Sequence, residues 1–132
     1  MAWEDKGKTI SLRAPSTALS TYQYRVVVAS SSEGYFAAGS SGANLPIVGV
    51  LQSSPTVAGE ACEIVISGVS KLRTATTALR PGNWFMSGVN GLASSSGSAI
   101  AKTLLMGPVL GAAVSSSSGI TTAIVDRVGI TT

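Results

Sequence analysis

The chain has 132 residues and a mass of 13.2 kDa, the size of one domain, with nine Lys plus Arg, six Asp plus Glu, no His and one Cys. Charged residues make up 11% of it, against about 25% in an average soluble domain. The missing His removes the imidazole of Ser-His-Asp and Cys-His sites and the commonest zinc ligand, and the single Cys62 excludes an internal disulfide, so packing has to hold the fold.

Gly, Ala, Ser and Thr together supply about half the chain, apolar residues 45%, and the mean hydropathy is +0.39. The net charge of +3 and pI near 9.4 come from basic residues that stand singly, at Lys6, Lys8, Arg13, Arg25, Lys71, Arg73, Arg80, Lys102 and Arg127. Without a cluster or interleaved aromatics, this is an ordinary solvated face and no direct nucleic-acid contact is expected. Charges at Glu4, Asp5, Lys6 and Lys8 stand where a signal peptide needs an apolar run, which predicts synthesis in the cytoplasm. The longest apolar region, Ala99 to Val114, is short for a bilayer span and is interrupted by Lys102 and Gly107-Pro108, so no membrane association is expected.

Apolar or β-branched windows of four to eight residues recur between Gly, Ser, Pro and Asn clusters, the pattern of an all-β domain. Lys8 to Arg13 puts Ile10 and Leu12 on one face of a half-buried strand that Pro15 stops. Tyr22 to Ala29 reads as a strand with Tyr24, Val26 and Val28 on one face and Val27 opposite. Gly39 to Asn44 reads as an exposed loop. Pro46 to Gln52 is apolar almost throughout, as a strand covered on both sides should be, and Gly49 inside it predicts a bulge or a close backbone crossing.

Pro55 to Glu60 is a turn, followed by a strand with Cys62, Ile64 and Ile66 inward and Glu63, Val65 and Ser67 outward. Past Gly68 the alternation continues, with Val69 and Lys71 set against Ser70 and Leu72. Arg80-Pro-Gly-Asn83 marks a turn before the strand Trp84-Phe85-Met86, of which the aromatic group is assigned to the core. Asn90-Gly91 predicts a type I′ hairpin. Ser94 to Ser98 and Ser115 to Gly119 read as exposed linkers. Ile100 to Met106 has the spacing of a short helical turn that Gly107-Pro108 would end. Val109 to Val114 and Ile120 to Val125 read as strands, and the tail from Asp126 to Thr132 as a last strand pairing within the chain or with a neighbour.

Glu60 and Glu63, three apart on either side of a strand start, face opposite ways and cannot share a substrate. Gly39-Ser-Ser-Gly-Ala43 lacks the Lys-Ser/Thr and the helix start of a phosphate loop. Ser70 precedes Lys71, but neighbours on a strand point apart, so no hydroxyl has a base and no enzyme, cofactor or metal site is expected. What remains is surface: scarce charge and abundant small hydroxyl residues suit a protein partly covered by partners.

Gly7-Lys-Thr-Ile-Ser-Leu-Arg-Ala-Pro15, Gly49-Val-Leu-Gln52 with Pro55, Ala58-Gly-Glu60 and Ser67-Gly-Val-Ser-Lys71 resemble the capsid cement (decoration, or head-stabilising) proteins of tailed bacteriophages. Arg80-Pro-Gly, Asn90-Gly91 and Leu110-Gly-Ala-Ala-Val114 continue the likeness, while the long Ser-rich loops and the block Ile100 to Met106 depart from it. The resemblance implies one small β-barrel or β-sandwich, placed over residues 9–132, and the short polar segment before the first strand, residues 1–8, reads as an extended N-terminal arm. The resemblance further implies a homotrimer on the outer surface of the virion head that clamps neighbouring major capsid proteins. The arm, with Ala2, Trp3, Glu4, Asp5, Lys6 and Lys8, is the expected capsid contact, because it is short and polar and Trp is enriched at interface hot spots. The alternative is a phage tail or baseplate component, or a cell-surface β-module binding a receptor or glycan through its Ser/Thr-rich loops.

Overall fold

A strand of thirteen residues, Ala61–Arg73, organises the computed structural model, which describes residues 7–15, 19–39, 46–75, 79–95, 104–105, 107–111, 119–125 and 129–130. The strands in chain order are β1 (Lys8–Arg13), β2 (Val26–Ala29), β3 (Phe36–Ala38), β4 (Ile47–Leu51), β5 (Ala61–Arg73), β6 (Trp84–Ser87), β7 (Ala93–Ser95), β8 (Leu104–Leu105), β9 (Gly107–Pro108), β10 (Ile120–Val125) and β11 (Gly129–Ile130). The main sheet runs β1-β5-β4-β2-β3, with β10 also on β5; β7-β6-β9 and β11-β8 form smaller sheets. The fold is all-β, as expected, and its main sheet is open: the barrel alternative does not hold, since β1 and β3 end the sheet without meeting in a strand pair.

The continuous alternation read across Gly68 is one strand. Its first half pairs with β1, from Arg13↔Ala61 to Lys8↔Ser67, and its second half with β10, from Val125↔Gly68 to Ile120↔Arg73. Gly68, at φ 113°, stands at the changeover in a backbone region that L side chains rarely enter.

Two apolar clusters lie on the two faces of the main sheet. One joins Val26, Val50, Val65 and Leu72 to Phe85 and Ala93 of the second sheet and to Ala123 and Val125 of β10. The other holds Val27, Leu51, Cys62 and Ile64 under Ala14, Leu19 and Phe36. Alternate residues of β2 and β4 therefore go to different cores, which is why Val65 is buried although the alternation put it outside, and why Val27 is as buried as Val26. The expected face of Tyr24, Val26 and Val28 holds only for the valines. Tyr24 precedes the strand at φ 66°, after a 3-10 turn over Ser20–Tyr22.

Gly49 fulfils both parts of its expectation. Val27 pairs Gly49 and Val28 pairs Ile47, leaving Val48 as the extra residue of a bulge, and a Cβ built on Gly49 would overlap the Val65 carbonyl oxygen. At the far end of the second sheet, Asn90 (φ 57°) and Gly91 (φ 74°) turn the expected hairpin, closed by Gly88 N–H donating to the Leu92 carbonyl at 2.7 Å.

Three readings are corrected. Ser94 and Ser95 are not linker but pair with Met86 and Phe85 in β7. Leu104–Leu105 is a strand paired with β11, not helix: a helical stretch this short is marginal by itself, and the tail supplies strand partners instead. Beyond Val109, which bridges to Ala123, Leu110 and Gly111 donate to the Thr122 carbonyl without forming the strand read from Val109. The loop at 40–45, the linker residues 96–98 and 115–118, and residues 112–114 lie outside the described residues.

Cys62 is a core residue, its S–H donating to the Glu60 carbonyl at 3.4 Å, and burial, with Glu60 second, pushes its thiol pKa up. The unfolded thiol therefore ionises first as pH rises, and its contribution to stability is lost above the ordinary thiol range. Iodoacetamide at pH 8 is expected to leave native Cys62 unmodified and to alkylate it in denaturant; equal rates in the two states would contradict this. Gly49→Ala should lower stability by about 2–3 kcal/mol in urea titration, since the added methyl meets backbone. Phe85→Ala should cost about 3–5 kcal/mol, because this fully buried ring joins the second sheet to the first.

Candidate interaction surface

Of the residues expected to contact a capsid, Ala2, Trp3, Glu4, Asp5 and Lys6 lie outside the described residues. Lys8 is exposed at the start of β1, opposite Ser67, with a register shift before Thr9. The carboxylates read as unable to cooperate are indeed separate: Glu60 accepts from Thr56 N–H at 3.2 Å and closes its own turn, while Glu63 is exposed on β5 opposite Ser11. The aromatic group splits, with Phe85 fully buried and Trp84 40% exposed.

The most developed polar constellation lies where the pattern predicts the start of a strand. Residues Gln23 to Arg25 cross from the end of β4 to the second half of β5. Tyr24 N–H donates to the Leu51 carbonyl at 2.7 Å, Leu51 N–H to the Arg25 carbonyl at 3.0 Å, and Arg73 N–H to the Tyr24 carbonyl at 2.8 Å. These bonds fix Tyr24 in the left-handed region, a conformation that costs a bulky residue about 1–3 kcal/mol. Gln23 Nε2 donates to the Gln52 carbonyl at 2.9 Å, and Gln52 Nε2 to Ser70 Oγ at 2.8 Å and to the Val50 carbonyl at 3.1 Å.

Three cations gather around this crossing. The Arg25 guanidinium lies 4.4 Å from the Tyr22 ring centroid and donates through Nη1 to the Asn90 carbonyl at 3.3 Å, while its Nε is enclosed without a hydrogen-bond partner. Desolvation lowers the Arg25 pKa most, the Tyr22 hydroxyl opposes this, and the charge of Arg73 lowers it further; the guanidinium nevertheless stays protonated at any physiological pH. Arg73 Nε donates to the Gln23 carbonyl at 3.5 Å, and Lys71 Nζ sits 5.7 Å over the Tyr24 ring. Each ring offers its negative face to a cation and so holds it in position.

Beside Lys71, a groove of about 480 Å³ is lined by Tyr24, Gln52, Val69, Ser70, Lys71 and Thr122. Ser70 Oγ donates to the Lys71 carbonyl at 2.8 Å while accepting from Gln52, and Ser70 is buried where Lys71 is exposed. Among the described residues no base is placed to activate the hydroxyl, and what the arrangement can do is hold a negative group against Lys71. A second groove of about 540 Å³, between Pro15, Ser30, Ser32, Tyr35, Ala58 and Gly59, has no charged side chain. The signal available in sequence was the run Tyr22-Gln-Tyr-Arg25, but its partners Asn90, Lys71 and Arg73 are far along the chain, so no local pattern revealed the cluster.

No protein-family model and no curated protein matches the chain. Among solved structures, the N-terminal base of the head fibre gp8.5 of bacteriophage phi29 is similar, with a TM-score of 0.62 at 13% sequence identity over 91% of this chain and 94% of that one. At that identity the likeness is one of fold, and it extends over nearly the whole of both chains.

Proposed function

We propose that the protein is a structural component of a phage virion that binds the exterior of the head and stabilises the shell by clamping neighbouring major capsid proteins. The observation that carries this reading is the shared fold with the base of a phage head fibre over 91% of the chain. The motifs from Gly7 to Val125 that resemble capsid cement proteins support the same assignment by an independent route. The reading assigns no catalysis and no cofactor.

The physical basis is mass action. A ligand that binds only the assembled shell stabilises it in proportion to occupancy, and a homotrimer joins three modest contacts through effective concentration. The N-terminal arm, residues 1–8, is the proposed capsid contact, with Trp3 as its anchor and strand addition to a capsid edge as its mode. The head-fibre neighbour also favours a second reading, in which the domain anchors to the head without stiffening it.

Purified protein should sediment at three times the 13.2 kDa chain mass and bind heads assembled without it; a monomer without affinity for heads overturns the proposal. Deleting residues 1–6 should leave the thermal melt unchanged and abolish head occupancy, whereas full occupancy by the truncated protein removes the arm from the contact. Clamping predicts that decorated heads rupture at a higher temperature than bare ones, and anchoring alone predicts no change.

A further inference from the structure

We infer that the outward face of the β5 and β10 pair, with Tyr24 at its side, docks a protein segment that combines carboxylates with aliphatic side chains. The inference rests on the shell-binding reading for the partner's identity, the major capsid protein.

Opposite residues of an antiparallel pair share a face. Leu72 with Thr121, Ser70 with Ala123 and Gly68 with Val125 therefore form one face, and the side chains of Leu72, Thr121, Ser70, Ala123 and Val125 are buried. The opposite face carries Arg73 with Ile120, Lys71 with Thr122 and Val69 with Ile124. It remains accessible: Ile120 is 43% exposed, Lys71 is exposed, and Val69, Thr122 and Ile124 are half-buried. This face is thus a strip of aliphatic residues with cations set between them, adjoining the 480 Å³ groove.

Charge selects the partner. Among the described residues the carboxylates Glu33, Glu60 and Glu63 all belong to the Ala61 end of β5. Glu63 lies on its first half, Glu60 precedes it, and Glu33 adjoins Gly34, whose carbonyl takes the N–H of Arg13 opposite Ala61. The Arg73 end gathers Arg25, Lys71 and Arg73, so the charges described there are positive. The aliphatic pairs favour protein over nucleic acid, and so do the rings. Tyr22 and Tyr24 already hold Arg25 and Lys71 on a face, where a nucleic-acid surface would leave ring faces open for bases to stack.

The test compares wild type, Lys71→Glu, Ile120→Ser and Arg80→Glu for binding to heads assembled without the protein. Arg80→Glu matches the charge change at an exposed site off this face. Lys71→Glu should weaken apparent affinity about tenfold, and its effect should shrink at high salt. Ile120→Ser should weaken binding and Arg80→Glu should not. If wild type binds heads and Lys71→Glu binds equally well, the surface assignment falls while the shell reading stands. If Lys71→Glu instead dissociates the protein into monomers without lowering occupancy per chain, the face is a self-contact and the inference is overturned.

A second measurement needs neither heads nor variants: NMR titration of wild type with the peptide acetyl-Glu-Val-Glu-Val-Glu-amide and its Gln-for-Glu counterpart. Amide shifts at Tyr24, Val69, Lys71 and Thr122 with the Glu peptide alone support the surface. Shifts elsewhere, none, or equal shifts with both peptides overturn it. Failure of wild type to bind heads removes the shell reading and the partner's identity with it, and the peptide titration then decides the surface by itself.

Discussion

The structure depends on one requirement: β5 has to serve two sheet partners in sequence along its length while being covered on both faces for part of it. β1 occupies residues up to Ser67 and β10 takes over at Gly68. In the half shared with β4, both faces of the strand are buried, so Ile64 and Val65 point to different cores. In the other half only one face is, and Leu72 goes inward while Lys71 goes to solvent. The strand changes from a central strand of a double-sided layer to one wall of a single-sided layer at the residue with no side chain.

That requirement explains why the neighbouring strands look as they do. β4 can approach β5 closely only if Gly49 leaves room for the Val65 carbonyl, and the bulge at Val48 lets Ile47 and Val50, three residues apart, enter the same core. The chain before β2 must then bridge the end of β4 to the far half of β5, and it does so through Tyr24 in a left-handed conformation held by three backbone hydrogen bonds. Strain at Tyr24 and the cluster of cations around it are thus consequences of where β5 changes role. The rings of Tyr22 and Tyr24 and the carbonyls of Gln23 and Asn90 accommodate charges that packing has brought together.

Sequence pattern carried the parts of the fold in which a strand's own residues report its environment. Alternation past Gly68 set Val69 and Lys71 against Ser70 and Leu72, the two that are buried, the unbroken apolar run at Ile47 to Leu51 marked a strand covered twice, and Asn90-Gly91 marked its turn. It failed where pairing is decided by a distant partner. Ser94 and Ser95 have no strand preference of their own and are ordered by Met86 and Phe85; Leu104 and Leu105 are ordered by the tail. The polar cluster was illegible for the same reason. Its members come from the β4 end, β5 and the hairpin loop, and Arg25 meets Asn90 across 65 positions of chain.

The scarcity of charge takes on a different meaning once the few charges have positions. In a chain with ordinary charge density, cations and carboxylates interleave and their fields cancel over about a Debye length, roughly 8–10 Å at moderate salt. Here the described carboxylates sit toward the Ala61 end of β5, and Arg25, Lys71 and Arg73 gather toward the Arg73 end. Among the described residues such a separation makes the Arg73 end electropositive, and two of its cations, Arg25 and Lys71, lie over tyrosine rings. Preorganised cations lose less side-chain entropy when an anionic partner arrives. A low-charge chain is therefore well suited to orientation: where Ser, Thr, Gly and Ala make up about half of the residues, an electropositive strip such as this one is enough to set the face with which the protein meets its partner.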